Sequence, residues 1–257
     1  MSEPAPPRLH FASQLYRPRR AAEGQRLLAT LERNLRLPWI NRATIFLDGI
    51  EPPWQRPQVR FLPLNRPATY SDFLALMAGA EPAEGSTHLL IANSDIVFEE
   101  SIARVAAAIS RPNWAICLTR RELDGSYPTG IAPLQSQDAW LLAQQEPDPQ
   151  LLDQLRAIRL GVPGCEHLFA AALVAQGFTL WNPCEDCRAT HTDPTPVPYA
   201  AGGERYWGLY AYVPPCRIEA IGRATPGVFF AYAQAPGRYF PVRIGTGSTE
   251  GVPGTSG

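Results

Sequence analysis

The sequence predicts an α/β protein of three layers, α/β/α, with a mostly parallel central sheet and a small aromatic-rich C-terminal appendage. Three observations predict it. Short apolar runs of strand length alternate with amphipathic stretches at helical spacing from Leu9 to Pro183. Several of those runs stop abruptly on polar residues, as strands do where a sheet opens on a crevice. After His191 the alternation gives way to Pro- and Gly-rich text dotted with aromatics. The organisation that follows is an α/β domain over 1–198, an aromatic-rich appendage over 199–243 and a disordered tail over 244–257.

The elements come in order. Leu9 to Tyr16, "LHFASQLY", is a first strand, and Ala21 to Leu35 places Leu27, Leu28, Leu31 and Leu35 on one helical face. "ATIFLDG" (Ala43 to Gly49) and "VRFLPLN" (Val59 to Asn65) are two more strands, and "YSDFLALMAG" is a helix. "THLLIAN" is a strand that runs into Ser94 and Asp95, followed by a helix over Glu99 to Ile109 whose first-turn acids suit the helix dipole. "WAICLT" (Trp114 to Thr119) is a strand, "SQDAWLLA" (Ser136 to Ala143) a strand entry carrying Asp138, and "EPDPQ" a turn. Gly164 to Phe178 is a helix stopped by Gly177, and "FTLWNP" a strand stopped by Pro183. The aromatics between Tyr206 and Phe240 suggest a small β structure over the crevice.

Composition narrows the function. The chain has 257 residues, enough to bury roughly 70–75% of its unfolded surface in one core. A formal net charge of -1 leaves no electrostatic footprint for nucleic acid. Every one of the 23 basic residues is arginine. That excludes a Walker-type phosphate loop, a protein kinase and Schiff-base chemistry, all of which need a lysine amine. The five cysteines, the lack of a signal-like start and the lack of an apolar run of about 18 residues predict a cytoplasmic protein with reduced thiols and no transmembrane segment. Peripheral association with a membrane stays compatible with this.

Three polar residues stand out at strand ends: Asp95, Glu166 and His191. A divalent cation on a diphosphate takes oxygen ligands, accepts an imidazole and leaves positions open for phosphate, which suits Asp95 and His191. Each residue also has an ordinary reading: Asp95 as a helix cap, Glu166 as a charge at a helix N-terminus, His191 as a loop histidine and Asp138 as a turn residue. Arg120 and Arg121, past the strand "WAICLT", are either a diphosphate clamp or a solvated pair. "NPCEDCRATH" sets Cys184, Cys187 and His191 at a spacing that also suits three of the four ligands of a structural zinc site, with Cys165, His167 or Cys216 as the fourth.

"IANSDIVFEESI" resembles the strand and Asp-x-Asp motif of the glycosyltransferase A fold, and "GVPGCEHLFAAALVAQGFTLWNP…ATH" is similar to the later segment of family 2 glycosyltransferases. With "CLTRRE" and "SQDAW", the order also resembles a group of bacterial glycosyltransferase-like proteins. The resemblance covers roughly Leu9 to Asp193. It implies a nucleotide-diphospho-sugar transferase-like fold, a nucleotide-sugar donor and a glycan or other small acceptor. It further implies Mn²⁺ or Mg²⁺ held by Asp95 and His191, donor contacts from Asn93, Ser94 and Arg120, Glu166 as general base, and Asp138 in the acceptor or sugar pocket. Asn93 stands where the motif has its first acid, Cys165-Glu166 where the family has an acidic pair, and the usual opening signature of family 2 is absent.

The expectation is therefore a glycosyltransferase of cell-surface polysaccharide or glycan assembly. Two alternatives share the fold. One is a catalytically silent glycan- or nucleotide-binding protein, and the other a sugar-phosphate nucleotidylyltransferase, whose Gly-rich N-terminal phosphate loop this chain lacks. A structural zinc protein built on Cys184, Cys187 and His191 is a third.

Overall fold

The computed structural model describes residues 7–78, 87–129, 132–194, 204–223, 226–235 and 238–242, so the tail expected over 244–257 lies outside the described residues. Nine strands form the central sheet. They are β1 (Leu9–Tyr16), β2 (Ile40–Asp48), β3 (Val59–Pro63), β4 (His88–Ala92), β5 (Ile96–Phe98), β6 (Trp114–Arg121), β7 (Gln137–Ala143), β8 (Thr179–Trp181) and β9 (Ala189–His191). Their order is β3-β2-β1-β4-β7-β6-β9-β5, with β8 also on β6. Most pairings are parallel; β7 runs antiparallel to both neighbours, and β5 antiparallel to β9.

Both faces of this sheet are apolar, as a sheet buried between helix layers must be. Along β4, Leu90 and Ala92 point into one core while Leu89 and Ile91 point into the other, the period of two that a pleated strand imposes. The first core is closed by α1 (Ala21–Asn34) and α3 (Ser101–Ala108), the second by α2 (Tyr70–Leu74), α4 (Pro149–Leu155) and α5 (Cys165–Ala175). The three layers expected from the alternation are present.

Four local expectations need correction. "EPDPQ" ends in a helix rather than a turn, because Asp148 caps the first turn through its bond from Gln150 N–H (2.7 Å) and Pro149 suits the first helical position. The helix expected from Tyr70 keeps α geometry only to Leu74 and tightens into a 3₁₀ turn over Ala75–Met77. The helix expected over Glu99 to Ile109 runs from Ser101 to Ala108 with no acid in its first turn, and β5 comes between it and Asp95, held by Asn34, whose side chain donates to Ile96 O (2.8 Å) and accepts from Phe98 N–H (3.0 Å). The C-terminal aromatics form an antiparallel sheet of β10 (Gly208–Tyr212), β11 (Phe229–Ala235) and β12 (Arg238–Val242). That sheet packs on the outer side of α5 rather than over the crevice, which explains why α5 is apolar all round: it is sandwiched between two sheets.

Candidate active site

The site grows from the turn after β4. Ile96 N–H closes on Asn93 O (3.2 Å), and the chain swings out of β4 into β5 across the short segment Asn93-Ser94-Asp95. Since β5 pairs antiparallel with β9, Ile96 lies opposite His191, and Thr192 N–H reaches Asp95 O (2.8 Å). The pairing carries two side chains 96 residues apart to one point, with His191 Nε2 3.1 Å from Asp95 Oδ2.

β6 and β7 supply the opposite wall. Alternation along the end of β6 turns Arg120 inward, while Arg121 turns outward to the Tyr127 hydroxyl (2.8 Å) and Cys184 O (3.0 Å). Of the two arginines weighed from sequence, only Arg120 lines the cleft. The β6–β7 ladder pairs Leu118 with Ala139 and then Thr119 with Gln137, so Asp138 is a bulged residue with no partner in β6. Bulges of this kind re-aim a side chain. Asp138 Oδ1 accepts from Asn93 Nδ2 (3.2 Å), and its Oδ2 lies 3.5 Å from Arg120 Nη1. Glu122, next on the inward face of the chain beyond β6, sets Oε1 3.4 Å from Arg120 Nε and Oε2 3.4 Å from His191 Nδ1. Asn93, Asp138, Arg120, Glu122, His191 and Asp95 thus form one chain of polar contacts.

Electrostatics separates the two aspartates. Burial alone would raise Asp95, but the hydrogen bond and charge of His191, with Arg120 beyond, hold its carboxyl below the ordinary range. Burial would likewise lower His191, and Asp95 overcomes it and raises the imidazole. Asp138 goes the other way: burial raises it, Asp95 adds to the rise, and Arg120 opposes without cancelling.

Glu166 enters from a third direction. It occupies the first turn of α5, buried, with Oε1 3.7 Å from His167 Nε2. The helix starts at Gly164, whose φ of 91° lies in the left-handed region that favours glycine. A β-carbon there would meet Tyr206 O at 2.7 Å and the Tyr210 hydroxyl closer still. Tyr70, fully buried and stacked on Phe169 at 4.0 Å, backs Cys165 beneath it.

The seven residues to which the resemblance gives donor, metal, sugar-pocket or base roles, Asn93, Ser94, Asp95, Arg120, Asp138, Glu166 and His191, line one cleft of about 570 Å³ at the carboxyl ends of β1, β2, β4 and β6. Among the residues with described side chains, none of β10, and none of β11 from Phe229 to Ala233, lines it. The cleft also takes in Gln14, Tyr16, Arg19, Asp48 and Arg159, which sequence reasoning passed over. A signal existed for Asp48, because "FLDG" ends its strand on a carboxylate just as "IANSD" does. Arg19 and Arg159 sit in loops that carry no pattern.

The donor set fits a hard cation. In an octahedral ion with bonds of about 2.1 Å, adjacent ligand atoms stand about 3.0 Å apart, close to the 3.1 Å between Asp95 Oδ2 and His191 Nε2. Two protein ligands leave the remaining positions to phosphate and water. The imidazole would hold the ion in its neutral form, giving up the proton it shares with Asp95. The zinc alternative does not fit. Pairing of β9 with β5 turns His191 to Asp95 and away from Cys184 and Cys187, and among the described residues no group of three or more His, Cys, Asp or Glu side chains has metal-holding geometry. Cys184 and Cys187 are instead buried as thiols whose titration burial pushes upward.

No protein-family model matches the chain, and no curated protein matches it. Among solved structures the chain is similar to the mannosyltransferase PcManGT from Pyrobaculum calidifontis in complex with GDP-Man and Mn2+, at 11% identity and a TM-score of 0.49. It is also similar to GalNAc-T7 with UDP, GalNAc and Mn2+, at 12% identity and a TM-score of 0.48, over 74% of this chain and 44% of that one. A third, 4-diphosphocytidyl-2C-methyl-D-erythritol synthase from Anaerococcus prevotii, shares 10% identity at a TM-score of 0.37, over 58% of this chain and 74% of that one. The match to the mannosyltransferase covers 75% of this chain and spans 59% of that protein's length.

Proposed function

We propose that the chain is a metal-assisted glycosyltransferase that moves a sugar from a nucleotide-diphosphate donor to a glycan or other small acceptor, in the cytoplasm or at the membrane periphery. One observation carries the reading: Asp95 and His191 meet at 3.1 Å in a cleft that also holds Arg120, Asp138 and Glu166. Mn²⁺ or Mg²⁺ on the diphosphate supplies positive charge against the negative charge that grows on the departing nucleoside diphosphate. Asp95 and His191 hold that cation. Asn93, Ser94 and Arg120 orient the donor, and the fixed charge of Arg120 adds to the stabilisation of the leaving group.

Glu166 takes the proton of the acceptor hydroxyl as its oxygen bonds to the anomeric carbon and the bond from that carbon to phosphate oxygen breaks. Attack from the face opposite the leaving group inverts the sugar. Asp138, held by Asn93 and Arg120, shapes the sugar pocket and is less free to move a proton.

The experiment is turnover against a panel of nucleotide sugars with Mn²⁺. Donor consumption abolished by Asp95→Ala, with the fold intact, supports the transferase; a product of retained configuration removes Glu166 from the base role. One observation favours a second reading, a silent binding protein of the same fold: the place of the motif's first acid is filled by an amide committed to Asp138. Nucleotide binding without turnover across the panel establishes that reading instead.

A further inference from the structure

Among the described residues, two buried donors in the cleft lack hydrogen-bond partners, Arg120 Nε and His191 Nδ1. Each lies 3.4 Å from a different oxygen of the same carboxylate, Glu122 Oε1 for the guanidinium and Oε2 for the imidazole. Buried orphans of this kind are costly, and charge-assisted bonds close to about 2.7–2.9 Å. An advance of roughly half an ångström by Glu122 therefore satisfies both at once. The residue is placed for it: Glu122 forms the base of a tight turn, with its N–H on Ser126 O and its carbonyl accepting from Gly125 N–H, both 2.9 Å, and its side chain is one-quarter exposed.

We infer that Glu122 is a positioning residue for both His191 and Arg120. Accepting Nδ1–H fixes the imidazole with Nε2 bare and turned to Asp95, the arrangement of carboxylate, histidine and metal that raises a ligand's basicity. The second oxygen of the carboxylate fixes Arg120 over the same point. The inference rests on the cation-binding reading of Asp95 and His191.

The test is a Mn²⁺ titration followed by electron paramagnetic resonance, with nucleoside diphosphate present, on wild type, Asp95→Ala, Glu122→Ala and Glu122→Gln, each with a urea unfolding curve. Glu122→Ala is expected to weaken Mn²⁺ about 10–100-fold. Glu122→Gln keeps an acceptor oxygen and recovers part of that loss, and the nitrogen modulation from a ligating imidazole fades in the order of affinity. The unfolding midpoints of both Glu122 variants stay at the wild-type value. Wild-type affinity in Glu122→Ala, alongside loss in Asp95→Ala, overturns the positioning role and leaves the cation site standing. Weakening that tracks a lowered unfolding midpoint also overturns it, by making the role structural. Wild type that takes up no Mn²⁺ overturns the cation site itself.

Discussion

The amide at position 93 shows how a single residue sets the charge of the cleft. Asn93 donates from Nδ2 to Asp138 Oδ1, a bond that no carboxylate at this position can make while Asp138 is ionised. Restoring the acid of the Asp-x-Asp motif therefore does not restore the motif. Asn93→Asp sets two carboxylates against each other beside a third, Asp95, and one of them is driven to hold a proton. The expected outcome is a loss of about 1–3 kcal/mol in urea unfolding at neutral pH, recovered as the pH is lowered toward the carboxylate range. Stability equal to wild type together with tighter Mn²⁺ binding contradicts the contact network described here. The sign follows from the geometry: the new carboxyl has a raised folded-state value, so its neutral form is the compatible one.

Among the elements, α5 and the β5–β9 pair do most to place chemistry. α5 delivers Glu166 through a start at Gly164 that needs a positive φ and a close approach of Tyr206 and Tyr210. Gly164→Ala is expected to cost roughly 1–3 kcal/mol in unfolding and to lower turnover by shifting the first turn of the helix, an effect read as lower kcat with the Kd for nucleoside diphosphate kept. Unchanged turnover removes the link between that turn and Glu166. This element was legible in the sequence, since "GVPG" before an apolar run bounded by Gly177 announces both ends. So were the long strands, whose apolar runs suit a sheet covered on both faces. The pair β5 and β9 was not legible. Each is three residues long, and each becomes a strand only because the other, with Asn34 from α1, supplies partners from far along the chain. Local pattern holds no record of such a pairing, and yet it is this pairing that unites Asp95 with His191. The sequence pointed to both side chains through their chemical type and their places after strands, and it left the zinc alternative open for the same reason.

For the whole molecule, the histidines dictate how stability responds to acid. Burial pushes His10 down to about 3, with the Arg42 charge adding to it. Burial pushes His88 to about 4 and His167 to about 3. All three values lie below the ordinary 6.5, so the unfolded chain binds protons that the folded chain refuses. Their contribution is complete above about pH 6.5 and is lost as the pH falls through the folded-state values. His191 runs opposite: its raised value favours the folded state below its unfolded pKa, and that gain is lost as pH rises through the raised value. Three groups outweigh one, and the midpoint of urea unfolding is expected to fall steadily from about pH 6.5 to 4. A flat midpoint over that window refutes the burial assigned to these rings. The same packing that keeps them neutral holds two helix layers and two sheets around a cleft whose walls come from β4, β6, β7, β9 and α5. The central claim is that those walls bring Asp95 and His191 together to hold a cation against a diphosphate. The most direct measurement is a structure of the protein soaked with Mn²⁺ and a nucleoside diphosphate. The account predicts an ion bonded to Asp95 Oδ2, His191 Nε2 and phosphate oxygens; an ion bound elsewhere, or a diphosphate outside this cleft, contradicts it.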